Sequence, residues 1–366
     1  MKILRPILIL ASCLTFAANA AAQISLVPPG VDTPPADKPA AKAKAKPAAA
    51  AKKPAVPVAT PNPPAPAATT KPAATPTAKV TPAPAPDDPR VDLVFGAYQR
   101  GQYKTAFDLA SKRAQDTGDP KAMTMLGELY ANAMGIKRDY AKAADWYRRA
   151  ADAGDREGMF ALAMLRLSGR GGAVNREEAV KLLASSAKLG NPKAAYNLAL
   201  LYLDGQTLPQ DLTRAAELLR LAADAGNAEA QYALATFYKE GTGVKKDLDM
   251  AVLLLQAASL ADNVDAEVEY AIALYNGTGT PKNEAAAVAL LRKAAKQNSP
   301  IAQNRLARVL VTGQGVPTDK VEGLKWHIVA KSAGRGDPML DEALAGLSPE
   351  DRTKAQQAAR IWLGNK

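Results

Sequence analysis

His327 is the only imidazole in the chain and Cys13 the only thiol. A lone cysteine excludes an internal disulfide framework and a zinc ribbon. A lone histidine excludes the multi-histidine sites on which most zinc, copper and non-haem iron chemistry depends. A Ser-His-Asp or Cys-His relay needs a partner that orients His327, and none is legible in the sequence. Gly169-Arg170-Gly171-Gly172 is glycine-rich, but it follows a helical pattern rather than a strand and so reads as a loop, not a phosphate cradle. The carboxylates Glu177 and Glu178, and Glu267 and Glu269, are expected at helix starts or exposed faces as solvated charge. Asn276-Gly277-Thr278 matches a glycosylation sequon and is taken as accidental. No catalytic, cofactor or metal-binding residue is predicted, and the expected chemistry is recognition.

Charge and composition narrow this further. The net charge of +11 divides into +2 from residues 1–22, +4 from 23–88 and +5 from the remainder, where acids and bases are interspersed. Nucleic-acid proteins gather Lys and Arg on one face or stripe, so no nucleic-acid partner is expected. Lys2 and Arg5 precede the apolar run Ile7 to Phe16 and the small residues Ala17 to Ala22, the order of a secretory signal peptide over 1–22. The run is shorter than a membrane span of about 20 residues; retention as a signal anchor, or lipidation of Cys13 in Leu10-Ala11-Ser12-Cys13, are the alternatives. Residues 23–88 hold most of the 27 prolines, mixed with Ala, Thr and Lys. Such a segment cannot bury enough surface to offset its ordering entropy, and reads as a disordered polyproline-type spacer. Its lysines offer weak attraction to cell-wall polymer or another anionic surface. The expected location is periplasmic.

The elements that must position any site emerge from self-similarity at a period of 36 residues. The pairs Gly241 and Gly243, Gly277 and Gly279, Gly313 and Gly315 recur, continued backward by Gly205 and Gly169 and by Gly171 and Gly135. A core column reads Ala143, Ala179, Ala215, Ala251, Ala287, Gly323, and another Trp146, Leu182, Leu218, Leu254, Leu290, Trp326. Asp139, Asn175, Asp211, Asp247, Asn283 and Asp319 stand where loop gives way to an Ala- and Leu-rich run, which is helix N-cap chemistry. Gly154, Gly190, Gly226, Asp262, Asn298 and Gly334 follow about fifteen residues later, and these types best tolerate the left-handed conformation that closes a helix. The first helix of each unit precedes the glycine loop, with apolar residues on one face, as in Ala230, Leu234 and Tyr238. His327 falls in the column of Tyr147, Leu183, Leu219, Leu255 and Leu291, and reads as a half-buried packing residue. One hairpin cannot bury its apolar face alone, so neighbours must stack. The predicted fold is all-α: a right-handed solenoid of six 36-residue hairpins over 120–335, a capping hairpin over 89–119 and capping helices over 336–366.

The motifs Gly-x-Gly-Val, Trp-Tyr-x-x-Ala-Ala-x-x-Gly (Trp146 to Gly154) and Ala-x-x-x-Leu-x-x-x-Tyr (Ala230 to Tyr238) at this spacing resemble the Sel-one-like repeat (SLR) family, relatives of tetratricopeptide repeats. Departures are local: Arg166 and Tyr270 stand where tyrosine and leucine are usual, and Gln206-Thr207-Leu208 replaces a loop glycine. Val91 to Asp119 resembles a degenerate tetratricopeptide hairpin, with Phe95, Tyr98 and Tyr103. The resemblance implies a non-enzymatic scaffold whose first helices line a concave binding face. Carried onto this chain, that face presents Phe160, Met164, Leu167, Tyr196, Leu200, Leu203, Tyr232, Val268, Ile272 and Tyr275, rimmed by polar residues in the end units: Thr124, Glu128, Asn132, Asn304 and Arg308. The implied partner is an envelope protein. The alternatives are a regulator of a membrane sensor kinase, of the ExoR type, and a cell-wall factor working through the linker.

Overall fold

The computed structural model describes residues 92–364; the segments read as signal (1–22) and linker (23–88) lie outside the described residues. Within 92–364 every regular element is an α-helix. A leading pair, α1 (Leu93–Gln99) and α2 (Tyr103–Thr117), precedes six hairpins. These are α3 (Pro120–Asn132) with α4 (Tyr140–Asp152), α5 (Arg156–Ser168) with α6 (Arg176–Lys188), and α7 (Pro192–Asp204) with α8 (Leu212–Asp224). They continue as α9 (Ala228–Glu240) with α10 (Leu248–Leu260), α11 (Val264–Asn276) with α12 (Glu284–Lys296), and α13 (Pro300–Thr312) with α14 (Lys320–Ser332). Two further helices, α15 (Pro338–Ala345) and α16 (Pro349–Gly364), close the chain.

Each boundary has a chemical cause. All six second helices begin at the Asp/Asn column, whose side chain accepts from the amide three residues on, as in Asp139 from Lys142 at 3.0 Å and Asp247 from Met250 at 2.9 Å. They end at the predicted stops, all left-handed, including the non-glycine residues Asp262 (φ 60°) and Asn298 (φ 68°). Adjacent helices pack in sequence along the stack. Ala143, Ala179, Ala215, Ala251 and Ala287 are buried at the contacts, while Leu126, Leu162, Leu198, Leu234 and Leu306 fill the spaces between them. Small residues let the axes approach and leucines supply the buried apolar area, so the core needs few aromatics.

Units are joined by the second loop glycine. A Cβ built on Gly171, Gly243 or Gly279 would fall closer than 3.0 Å to a carbonyl oxygen at the first residue of the preceding unit's second helix: Tyr140, Leu212 or Leu248. Gly135 meets the start of α2 in the same way, at Tyr103 and Lys104, which makes the leading pair a seventh, abbreviated layer. Unit three lacks this glycine, and its Thr207 is not left-handed, so the joint there is built differently. At the N-terminal end Tyr98 and Tyr103 stack edge-on at 5.6 Å, but Phe95 is exposed and takes no part in the core. At the C-terminal end Ser348 caps α16, accepting from Asp351 at 3.1 Å. Ala355 and Ala359 are buried, and Trp362 stacks on Trp326 at 5.1 Å, with the Lys325 ammonium lying over both rings.

Candidate protein-binding face

The first helices α5, α7, α9 and α11 carry the residues predicted to meet a partner. Phe160, Met164, Leu167, Tyr196, Leu200, Leu203, Tyr232 and Ile272 are half-buried. Phe160, Met164, Leu167, Tyr196 and Leu203 lean on the central core, and Tyr232 on the cluster of Ala235, Leu255, Ala258 and Ala266. Two residues do not belong to this surface. Val268 is only 4% exposed, because the smaller side chain standing where other units place Phe or Tyr is covered by its neighbours. Tyr275 is 9% exposed, its hydroxyl donating to Gln314 at 2.8 Å from the loop of the next unit, which closes over it.

The electrostatics of the face are uneven. Burial, then the Glu229 carboxylate, raises the Tyr196 phenol; burial, then Glu269 and Asp265, pushes Tyr232 up to about 12. Both rings are therefore neutral hydrogen-bonding groups at any physiological pH, edged by carboxylates of the following unit. Of these, Glu269 is paired with Lys239 at 3.1 Å. Unit six reverses the sign with Arg305, whose pKa burial lowers and whose Nε has no hydrogen-bond partner.

Of the polar residues in the end units Asn132 is exposed, but the other four are engaged within the fold. Thr124 donates to Asp155 at 2.7 Å, Asn304 to Asp337 at 3.2 Å, Arg308 also to Asp337, and Tyr98 to Glu128 at 2.8 Å. Asp155 belongs to a second capping column that the sequence reading passed over: Asp119, Asp155, Asn191, Asn227, Asn263 and Ser299 cap the six first helices. Each stands one residue after a helix stop, so start and stop signals share a two-residue turn. Arg166 is buried and its Nε meets Glu178 at 2.8 Å, an ion pair in place of the usual tyrosine.

Two titratable groups are more deeply placed than expected. His327 is fully rather than half buried, its Nε2 2.8 Å from Asp341 and its Nδ1 without a partner. Two shallow surface depressions, near Leu182 and near Val316, do not include it. A fully covered imidazole paired to a helix-borne carboxylate holds α15 against α14; it cannot reach a substrate without local opening. Glu267, expected in solvent, has no exposed surface. In the same column of the flanking units Gln231 and Gln303 each donate, at 3.1 Å, to a backbone carbonyl eight residues upstream, Ala223 and Ala295. Glu267 has no amide N–H to donate; its Oε1 meets Lys293 at 2.6 Å instead and its Oε2 has no hydrogen-bond partner. Glu267→Gln is therefore expected to stabilise the protein by about 1 kcal/mol, because the amide gains the Ser259 carbonyl and Lys293 keeps Asp262 at 2.7 Å. A melting temperature unchanged or lowered in calorimetry would contradict this account.

Among the described residues no group of three His, Cys, Asp or Glu is placed to hold a metal ion, and no helix is long and apolar enough to cross a membrane. Stacked, self-capped hairpins with a half-buried apolar face along their first helices define a helical-repeat protein. The chain belongs to the Sel1 repeat family, whose model matches residues 120–155, 156–191, 192–227, 228–263, 264–299 and 300–334 in succession. Proteins of this family are in general protein-interaction scaffolds. Among solved structures, a Sel1 repeat protein from Oxalobacter formigenes is 26% identical, with 66% of this chain covering 98% of it at a TM-score of 0.58. A protective antigen of uropathogenic Escherichia coli, described as displaying an SLR fold, is 22% identical at a TM-score of 0.62 and shares the fold; 74% of this chain covers 65% of it. This chain thus spans about two-thirds of that antigen's length. No curated protein matches this chain.

Proposed function

We propose that the protein is an exported, non-enzymatic scaffold that holds another envelope protein against the face of α5, α7, α9 and α11. The observation that carries this reading is the row of half-buried Phe160, Met164, Tyr196, Leu200 and Tyr232, edged by carboxylates and continuous across neighbouring units. Half-buried apolar side chains on a rigid helix face are the anchors from which peptide and helix recognition is built. The order of Lys2 and Arg5, the apolar run Ile7 to Phe16 and the small residues Ala17 to Ala22 supports export.

Leu200→Asp combined with Ile272→Asp tests the face. Both residues are half-buried, so the helices should persist by circular dichroism while capture of the partner from envelope extracts, read by mass spectrometry, falls at least tenfold. Undiminished capture by the folded double variant would remove this face from the account. Deleting residues 23–88 separates the cell-wall alternative: wall association is then lost, whereas capture by the helix face persists.

A further inference from the structure

The opposite surface carries an anomaly of its own. Along the second helices of units one to five the outward stripe falls at four residues spaced 3, 4 and 3 apart. In unit one these are Lys142, Asp145, Arg149 and Asp152, all exposed and all charged. Unit two has Glu178, Lys181, Ser185 and Lys188. On α10 the same stripe is Met250, Leu253, Ala257 and Leu260, with Leu253 59% and Leu260 81% exposed. At the spacing of a coiled-coil seam, this stripe alone is apolar throughout, with no part of the described chain over it. We propose that it is a self-association surface, joining two copies of this chain back to back through antiparallel α10 helices.

The second copy is favoured because the surface complements itself. An antiparallel pairing about the middle of α10 places Met250 against Leu260 of the second copy and Leu253 against Ala257, large against small, so the axes can approach closely. The flanking helices agree with that register. On α8 the stripe is Arg214, Glu217, Leu221 and Asp224, all exposed. The same operation sets Arg214 opposite Asp224 of the second copy, twice by symmetry, and lays the stem of Glu217 on Leu221. On α12 it sets Lys293 and Lys296 over Ala289 and Ala286, so no like charges meet. Three helices about 20 Å long and about 10 Å apart cover roughly 600 Å² per copy, the lower end of specific pairing. A convex contact of that size predicts a dissociation constant on the order of 10 μM rather than an obligate dimer. Joined this way, two copies turn both candidate partner-binding faces outward, and a bivalent scaffold gains avidity for a clustered partner.

The experiment is sedimentation equilibrium of the full-length protein across a concentration range reaching about 100 μM. Wild type is expected to show reversible monomer–dimer exchange. Leu253→Asp, at an exposed position that leaves the core intact, should weaken dimerisation at least tenfold. Arg214→Asp alone sets two carboxylates face to face and should also weaken it; adding Asp224→Arg restores the opposite charges and should recover dimerisation to within about threefold of wild type. Recovery identifies the antiparallel register, which a merely sticky patch would not produce. A wild type monomeric throughout overturns the proposal, as does a Leu253→Asp variant that dimerises like wild type. Wild type that stays monomeric but sediments with anionic lipid vesicles would assign the patch to a membrane surface instead.

Discussion

Replacing Gly243 by alanine is expected to cost about 2–4 kcal/mol of unfolding free energy, whereas Gly226→Ala costs about 1. The two glycines have comparable backbones, φ 64° and φ 82°, so both substitutions force an L-residue into the left-handed region. Their surroundings differ. A Cβ on Gly226 meets nothing within 4 Å, while one on Gly243 would press on the Leu212 carbonyl at the start of α8. That carbonyl belongs to the first turn of a helix whose Asp211 cap fixes it, so the loop must move and the joint between units three and four must loosen. In a solenoid, stability is close to a sum of unit and nearest-neighbour terms. The damage should therefore be local, and urea unfolding of Gly243→Ala should separate into two transitions as the halves on either side of the joint uncouple. Equal, single-step losses for the two variants would show that the loop is not the joint.

The repeat and its second-helix boundaries were legible because they are written in residue types with one backbone meaning. Asp or Asn before an apolar run caps a helix, and Gly, Asp or Asn after it closes one; the Asp139 and Gly154 columns did both, including at Asp262 and Asn298. What the sequence concealed lies where one residue's environment is made by another unit. Val268 and Tyr275 share the register of Tyr232 and Leu203, yet a smaller side chain in one case and the Gln314 loop in the other bury them. Glu267 looked like a solvated helix charge, although its column (Met123, Met159, Ala195, Gln231, Gln303) is largely uncharged and could have signalled burial. Of the polar residues of the end units that looked like a rim, Thr124, Asn304 and Arg308 are hydrogen-bonded to caps. The apolar α10 stripe was visible as letters, but only the exposure of Leu253 and Leu260 shows that nothing in the described chain covers it.

Asp337 carries the other large expected effect. The N-cap column steps by 36 through Asp119 to Ser299 and would next fall on Arg335; the capping residue of α15 is instead Asp337, two residues later. Its carboxylate is 3% exposed and accepts from the Met339 amide at 3.2 Å, from Asn304 and from Arg308, so it ties α15 to the last first helix. Burial pulls the carboxyl pKa up, but the hydrogen bonds from Arg308 and Asn304 and the charge of Arg308 outweigh it, and the net position is below the ordinary carboxylate value. A depressed folded pKa contributes stability that is fully present above the unfolded value, near 4, and is lost as pH falls through the folded one. Asp337→Ala at neutral pH should cost about 2–3 kcal/mol, since it removes a cap together with the hydrogen bonds from Asn304 and Arg308. Asp337→Asn keeps a good cap but not the charge, so it isolates the ionic part: about 1–2 kcal/mol at pH 7, shrinking toward zero as the pH is lowered below about 4. Chemical denaturation of the three proteins between pH 7 and pH 3 reads this directly. A gap between wild type and Asp337→Asn that stays constant over that range would mean that the carboxylate's charge does not hold the C-terminal helices in place.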